Sequence, residues 1–522
     1  MNVKKKTAAK VGLGSAILTI FSGVIGIGIF FKNDSVFKNN DFNAIATLIT
    51  WIISIFFVLC IALSFGQIVS CKTNDNLGLG SWAEQYNGKK FGHYIKILQP
   101  FCYYVTLSFV LMLFSSEAII NMFICLKNGG KVVGEINFKY QSLAIFGCAL
   151  SLVIIFTLIN YLWEKFSIKF DYFLTWAKFL PIFLVVIFGI IGGIVNSSHQ
   201  GGLWTNQYWN GNLWQNSSPV IFSVKSLFAI PGILFAFEGY LIIGNVTNRI
   251  DKPEKNVPLS VIIGIILIAV FYLSITIGCI TSGTGNVYQL INILFGKDTK
   301  IGNIMNIFFS FLLFVCVLGI ANSMTICSLK SIQAIIDQKI LFKSQKLLKK
   351  GKNPLFGGLI YYIISMIFLF VTTLIPSLLL NTDQFFCCLG DSIIISFYLV
   401  YGLIVLGAFF NEFTHKVKVS TRIKFFKFLS FLSAITAIFI FAFCSIYQYV
   451  YFPCIEPNSI KELKNNWSLF ICEGQITYLV NWQGAITYWS MTLFLFTFPY
   501  LNALINWALP LACLLIKKWK QK

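Results

Sequence analysis

Charged side chains are scarce in this chain of 522 residues. Asp, Glu, Lys and Arg make up 11% of it, hydrophobic residues make up 57%, and the mean hydropathy is +0.78. Soluble domains carry about 25% charged residues, so this chain has too few charged side chains for a surface exposed to water. The scarcity argues against a soluble enzyme and against a disordered chain. The apolar residues instead come in runs of about 20, the length of helix that crosses a bilayer.

Histidine is nearly absent, and two catalytic motifs are missing. The three histidines, His93, His199 and His415, fall in predicted loops, and the chain contains neither HExxH nor a P-loop GKS/T. Intramembrane zinc proteolysis and ATP-driven pumping therefore lack their residues. The 14 cysteines include no CxxC pair that would suggest zinc or redox chemistry. We expect no metal, no cofactor and no enzymatic activity. Cys454 and Cys472 share one predicted polar loop, where a disulfide and two separate thiols both remain open.

Acidic residues are outnumbered, with 19 Asp and Glu against 40 Lys and Arg and a net charge of +21. In a soluble protein this balance would indicate nucleic acid. Here it indicates topology, because twelve apolar runs are predicted as spans, at roughly 13–31, 44–70, 97–126, 142–161, 172–195, 225–247, 259–281, 303–329, 355–375, 385–410, 426–452 and 483–515.

The loops between these spans differ in basic residues. With the N-terminus placed in the cytoplasm, cytoplasmic segments hold 29 Lys and Arg, and outer segments hold 9. The positive-inside rule then predicts a multi-pass protein of the plasma membrane with both termini in the cytoplasm and no nucleic-acid partner. Only Arg249 and Arg422 are arginine, which together with 54 Phe is typical of an AT-rich coding sequence. A bacterial source is therefore a hypothesis.

Glycines interrupt the first and sixth predicted spans, in SGVIGIGIFF (Ser22–Phe31) and PGILFAFEGY (Pro231–Tyr240). Non-helical backbone survives at membrane depth only around a cavity or inside protein. Paired interruptions in corresponding spans of two five-helix halves predict a transporter site. A broken helix leaves N–H groups for a carboxylate and carbonyls for an ammonium, and an amino acid carries both. The alternative is that these glycines only permit close helix packing.

Five stretches, in order, resemble the amino acid–polyamine–organocation (APC) transporters. IGIGIF (Ile25–Phe30) is similar to their first helix, ALSFGQ (Ala62–Gln67) to the end of the second and FAFEGY (Phe235–Tyr240) to the sixth. Leu158–Asn160 and TWAK (Thr175–Lys178) resemble parts of the fourth and fifth helices. The resemblance covers residues 12 to about 330; beyond that, only the pattern of spans agrees.

The resemblance implies an all-α polytopic membrane protein with a leucine-transporter-like inverted repeat of five plus five helices. Helices 1 and 6 would be unwound in mid-membrane, and two further helices would follow the repeats. The segments expected on this basis are a cytoplasmic N-terminus (1–12), the first repeat (13–195), an outer loop (196–224), the second repeat (225–410), helices 11 and 12 (411–515) and a cytoplasmic tail (516–522).

The family also implies a substrate site between helices 1 and 6. The amides of Ile27 and Gly28 would bind the carboxylate, and the carbonyls of Val24 and Phe235, with Glu238 as an option, would receive the ammonium. The Phe235 ring would act as an outer lid. The residues expected to bind substrate are Val24, Gly26, Ile27, Gly28, Phe235, Ala236, Glu238 and Gly239. Ile27 replaces the usual Ser or Thr and removes one hydroxyl donor.

Two charged residues inside predicted spans are functional candidates, since a charge in the bilayer is costly. Glu238 could favour a cationic substrate side chain, carry a proton or serve as a hydrogen-bonded strut. Lys178 matches a fifth-helix lysine that takes the place of sodium in related proton-dependent carriers. Alternatively, its side chain could extend to the cytoplasmic surface.

We therefore expect a permease that moves amino acids across the membrane by alternating access. Its partners would be an amino acid substrate and membrane lipid, with proton coupling and a preference for cationic amino acids left open. An amino acid or polyamine exchanger and a transport-inactive membrane sensor are the alternatives. The oligomeric state does not follow from the sequence.

Overall fold

The structure, a computed structural model, describes most of the chain up to residue 446. The described ranges are 12–26, 28–40, 43–71, 77–127, 138–199, 224–227, 229–282, 287–296, 299–341, 354–380, 384–420 and 422–446, with Leu501 and Leu504. Several predictions lie outside the described residues: both termini, Ile27, most of the loop 196–224, Cys454, Cys472 and nearly all of the twelfth predicted span.

The first part of the chain is helical. Its helices are α1 (Leu13–Val24), α2 (Gly28–Asn39), α3 (Ala44–Ile68), α4 (Leu79–Asn87), α5 (Lys89–Leu98), α6 (Val105–Lys127), α7 (Phe138–Leu162), α8 (Glu164–His199) and the short α9 (Val224–Leu227). A π-helical turn over Gln99–Tyr104 joins α5 to α6. Pro100 lies in that turn and has no N–H to give to the helix ladder, which accounts for the local change of pitch.

The second part continues in the same way. It contains α10 (Ile230–Phe237), a 3₁₀ helix (Tyr240–Arg249), α11 (Pro253–Ser282), α12 (Val287–Phe295), α13 (Lys300–Asp337), α14 (Pro354–Leu380), α15 (Gln384–Thr414) and α16 (Phe426–Phe443). Helix starts follow local chemistry. The Thr299 hydroxyl accepts the Gly302 N–H at 3.0 Å ahead of α13, which satisfies one of the free donors of the first turn.

Nine helices in the described residues are long and apolar enough to cross a membrane. They correspond to the second to fifth and the seventh to eleventh predicted spans. The first predicted span instead folds as two shorter pieces, α1 and α2, and the sixth as three, α9, α10 and the 3₁₀ helix. The described residues contain no β-strand, and one isolated bridge pairs Cys71 with Val419. The total of twelve spans and the inverted repeat stay predictions.

Large apolar side chains cover the outside of the bundle. On α7 and α8, the exposed ones include Ile154, Leu158, Phe173, Trp176 and Phe183. Buried hydroxyls bond to carbonyls one turn earlier in their own helix, as Ser54 does to Thr50 at 2.8 Å. Apolar groups outside and satisfied polar groups inside suit a lipid environment. The protein is a multi-pass membrane protein.

The long helices place the broken ones against the centre of the bundle. α6 and α13 pack along each other, and α8 packs against α11 and α13. A Cβ added to Gly189 would lie 2.5 Å from the Cα of Gly278, so α8 and α11 cross in backbone contact. α1 packs on α11 and also contacts α13, while α10 packs on α2 and contacts α15. Both interruptions therefore lie inside the bundle.

Candidate substrate-binding site

The first helix is interrupted after Val24. The last regular bond of α1 runs from the Ile25 N–H to the Phe21 carbonyl at 2.9 Å, and Ile25 is extended, with φ −71° and ψ 114°. A new helix, α2, begins at Gly28. The carbonyls of the last turn of α1 and the N–H groups of the first turn of α2 thus lose their intrahelical partners.

The sixth predicted span is interrupted after Phe237. Glu238 is extended, with φ −69° and ψ 150°, and Gly239 has φ +105°. Glycine has no Cβ, so it adopts this left-handed conformation without steric cost. The chain then resumes as the 3₁₀ helix at Tyr240. The stretches expected to unwind are thus interrupted in the structure.

The two interruptions touch through glycine. A Cβ on Gly239 would lie 2.4 Å from the carbonyl oxygen of Gly23, and a Cβ on Gly23 would lie 3.0 Å from the carbonyl oxygen of Gly239. A Cβ on Gly28 would lie 2.9 Å from the Cα of Ala236. Close packing and helix breaking, which the sequence left as alternatives, therefore occur together at the same glycines.

A cavity of about 30 Å³ lies at this crossing. Its lining combines residues from both interruptions with apolar side chains of the surrounding helices: Gly23, Val24, Gly26, Gly28, Leu107, Leu111, Phe235, Ala236, Glu238, Ile320, Met324 and Ile394. Six of the eight residues expected to bind substrate line it. Of the other two, Gly239 packs against Gly23, and Ile27 is not among the described residues.

Glu238 brings a buried carboxylate to this cavity. Its Oε1 accepts hydrogen bonds from the hydroxyls of Tyr103, in the π-helical turn, and of Tyr401 on α15, the latter at 2.6 Å. Its Oε2 has no hydrogen-bond partner among the described residues. One carboxylate oxygen is therefore held by two hydroxyls and the other is not, and the three roles considered for Glu238 stay predictions.

Tyr272 of α11 links the two interruptions. Its hydroxyl donates to the carbonyl of Ala236 at 2.9 Å and lies 3.4 Å from the carbonyl of Val24. Sequence reasoning missed this residue because a tyrosine inside an apolar run carries no signal of its own. It also missed Tyr401, whose role depends on α15 passing beside Glu238.

Lys178 ends inside the protein. Only 1% of its surface is exposed, and its Nζ donates to the carbonyl of Ser22 at 2.7 Å. Gly319 of α13 makes room for it, since a Cβ there would lie 2.6 Å from Cε of Lys178. The ammonium therefore binds the end of α1, and the alternative in which it extends to the surface does not agree with this contact.

Asp171 is a further charged residue that the sequence did not single out. Its Oδ1 accepts from Ser323 at 2.7 Å and from Asn322 at 3.3 Å, and its Oδ2 accepts from the Ser22 hydroxyl at 3.1 Å. The fifth span was expected to begin at residue 172, which left Asp171 in a loop. The structure begins α8 at Glu164, which places Asp171 two turns before Lys178 on one face of the helix.

The sequence matches a family model described as "Amino acid permease" over residues 11–480. The chain belongs to the amino acid permease family. This match confirms the resemblance to the APC transporters, and it covers the described helices of this permease, including both interruptions.

Two curated proteins are similar to this permease. One is an uncharacterized protein of Mycoplasma pneumoniae, 23% identical over 379 residues, which are 69% of this chain and 66% of that protein. The other is the serine/threonine exchanger SteT of Bacillus subtilis, 21% identical over 314 residues, which are 57% of this chain and 64% of the exchanger. The chain thus spans just under two thirds of the length of each relative.

Proposed function

We propose that this permease is a secondary active transporter that moves amino acids by alternating access. The observation that carries the proposal is the crossing of two interrupted helices at a cavity lined by a buried carboxylate. α1 meets the second interruption where Gly23 touches Gly239, and Glu238 lines the adjoining cavity. A zwitterion needs a positive and a negative partner at a fixed separation, and helix ends supply both.

The substrate carboxylate is assigned to the first turn of α2. The N–H groups of a first helical turn have no intrahelical acceptor, and Gly28, the first residue of α2, lines the cavity. The amide of Ile27 is proposed for the same role because it directly precedes Gly28. Gly26 completes this side of the site, where the absence of a side chain lets the substrate approach the backbone.

The substrate ammonium is assigned to the carbonyl side. Among the described residues, the Val24 carbonyl has only the long 3.4 Å contact from Tyr272. The Phe235 carbonyl already accepts the Glu238 N–H at 3.1 Å, yet a carbonyl has a second lone pair to offer. Ala236 and Gly239 hold this backbone in place, and the Phe235 ring, packed edge-on against Phe114 at 6.5 Å, is proposed as the lid.

The substrate preference is assigned to Glu238. Tyr103 and Tyr401 occupy Oε1 and fix the carboxylate, while Oε2 has no partner among the described residues. A buried, ionised carboxylate is best completed by a cation. We therefore infer a preference for amino acids with a cationic side chain, such as lysine, arginine or ornithine, and assign proton coupling to Lys178.

Transport requires this site to open. A cavity of about 30 Å³ has room for one or two water molecules and not for an amino acid. The helices that carry the interruptions, with α3 and α11, would therefore move against α6, α7, α8, α13 and α14. From the distribution of Lys and Arg between the loops, we propose that both termini lie in the cytoplasm. From the AT-rich composition, we propose that the membrane is the plasma membrane of a bacterium.

Exchange is the second candidate function. It is favoured by the similarity to a protein named as a serine/threonine exchanger and by a cavity whose walls, apart from Glu238, are apolar and close together. In that case, the substrates would be small neutral amino acids, and efflux of one would drive entry of another.

Uptake by the purified protein in liposomes distinguishes these functions. The twenty amino acids and ornithine are offered with and without an inward proton gradient, to empty liposomes and to liposomes preloaded with amino acid. Uptake of cationic amino acids into empty liposomes, raised by the gradient, is the expected result. Uptake only into preloaded liposomes would identify an exchanger. Folded protein that takes up none of these amino acids would reject transport and favour the sensor.

A further inference from the structure

Two side chains of α8 hold the same residue of α1. The Lys178 ammonium donates to the backbone carbonyl of Ser22 at 2.7 Å, and the Asp171 carboxylate accepts from the Ser22 hydroxyl at 3.1 Å. Ser22 lies two residues before α1 ends. We call these three residues the Ser22 clamp.

The carboxylate of the clamp is anchored from its other side by α13. Ser323 and Asn322 donate to Oδ1 of Asp171 at 2.7 and 3.3 Å. The Ser323 hydroxyl also lies 2.9 Å from the Ser22 hydroxyl, so both α8 and α13 contact Ser22. Asn322 is itself fixed to α7, because its Oδ1 accepts from Asn160 at 3.0 Å. Three helices proposed to stay together, α7, α8 and α13, thus orient Asp171 and leave its Oδ2 for Ser22. An acceptor held in advance in this way loses little freedom when it binds its donor.

We propose that Asp171 is a positioning residue for the transport cycle, which holds α1 against α8 and α13 while the site is closed and releases it when the site opens. The proposal rests on the proposed function, since α1 carries one wall of the cavity and must move for substrate to pass. Its bond to Asp171 joins the proposed moving helices to the proposed static ones. A hydrogen bond to an ionised group is stronger than a neutral one, which suits a contact that determines which state is populated.

The clamp can be tested in parts because its two bonds use different atoms of Ser22. Ser22→Ala removes the hydroxyl and keeps the carbonyl that Lys178 binds. Asp171→Ala removes the carboxylate. The matched control is Ser167→Ala, since Ser167 also lies on α8 and donates to Asn160 at 2.5 Å within the same network. Among the described residues, its side chain makes no hydrogen bond to α1.

Hydrogen–deuterium exchange of the purified full-length protein in detergent is the measurement. We expect the amides of α1 to exchange about tenfold faster or more in Ser22→Ala and in Asp171→Ala, and to be unchanged in Ser167→Ala. The double variant should raise exchange by less than the two single effects combined, because both single variants remove the bond between Ser22 and Asp171. Apparent KM for the transported amino acid should rise in the two clamp variants, because fewer molecules hold the closed site.

Two results would overturn the proposal. The first is that the amides of α1 exchange at an unchanged rate in Ser22→Ala. This result alone would reject the proposal, even if Asp171→Ala does not fold. The other is an equal rise in α1, α8 and α13, which would mean that Asp171 only supports the bundle. Exchange does not depend on uptake, so a protein that transports nothing yet responds as expected would refute the proposed function and not the clamp.

Discussion

The side-chain ammonium of Lys178 donates a 2.7 Å hydrogen bond to the backbone carbonyl of Ser22. In a continuous helix this carbonyl would accept the N–H of Gly26, four residues later. Since α1 ends at Val24, a cation from α8 takes the place of that backbone donor. The carbonyl end of a helix carries the negative end of the helix dipole, so a positive charge there is stabilising. The lysine therefore stabilises the interruption of the helix.

Lys178→Met should therefore lower the uptake of amino acids about tenfold or more, because it leaves the Ser22 carbonyl without its charged donor. Any uptake that remains should no longer respond to a proton gradient, since the proposed proton carrier is gone. Initial rates in liposomes, with and without the gradient, measure both effects. Lys169→Met is the matched control, because Lys169 lies on the same helix with its side chain exposed. An intact proton response in Lys178→Met would contradict the coupling role.

Gly319→Ala should resemble Lys178→Met although it changes no charge. The added Cβ would lie 2.6 Å from Cε and 3.2 Å from Nζ of Lys178, so the ammonium must leave the Ser22 carbonyl or the helices must separate. We expect a loss of uptake and a lower melting temperature, both measured beside Gly147→Ala. A Cβ on Gly147 would meet nothing within 4 Å, so this control should match the unchanged protein. Normal transport by Gly319→Ala would show that transport does not require the Lys178 ammonium at this position.

The interruptions could be predicted because their cause is local. Glycine adjacent to other glycines or to a proline weakens a helix wherever it stands, and Gly239, at φ +105°, shows why that residue type is needed there. The depth of Glu238 in the membrane could also be predicted, since it follows from the number of residues between Glu238 and the end of its span. The long helices could be predicted from the hydrophobic runs, because crossing a bilayer requires a fixed length of apolar sequence.

The partners of these residues could not be predicted, because they depend on which helices meet. Tyr401 is 163 positions from Glu238 and Tyr272 is 36 positions from Ala236, and neither spacing has a local signature. Asp171 was missed for another reason. Hydropathy ends a span where polar residues begin, whereas α8 extends back to Glu164. In this added part, Ser167 and Asp171 bond to side chains of α7 and α13.

Tyr272→Phe should slow transport by about tenfold while preserving the fold. The phenyl ring keeps the volume of the side chain, but the Ala236 carbonyl loses its 2.9 Å donor and the two interruptions lose their shared contact. A net hydrogen bond of about 1 kcal/mol corresponds to a change of roughly five- to tenfold. Tyr398→Phe is the control, since Tyr398 is also fully buried and its hydroxyl has no partner among the described residues. Equal effects of the two variants on the uptake rate would contradict the linking role.

Glu238→Gln tests the proposed substrate preference. The amide keeps the shape of the side chain, and its oxygen can still accept from Tyr103 and Tyr401. Its nitrogen, however, would replace the unpartnered Oε2 and present a donor to the substrate cation.

Affinity for lysine, arginine and ornithine should fall about tenfold or more, the effect of losing a charged partner, and affinity for neutral amino acids should change far less. Competition for uptake by each amino acid measures the two groups side by side, with Tyr401→Phe as a variant that disturbs the strut and keeps the charge. If the affinities for neutral and cationic substrates fall equally, Glu238 has only a structural role, and the site does not select its substrate by side-chain charge.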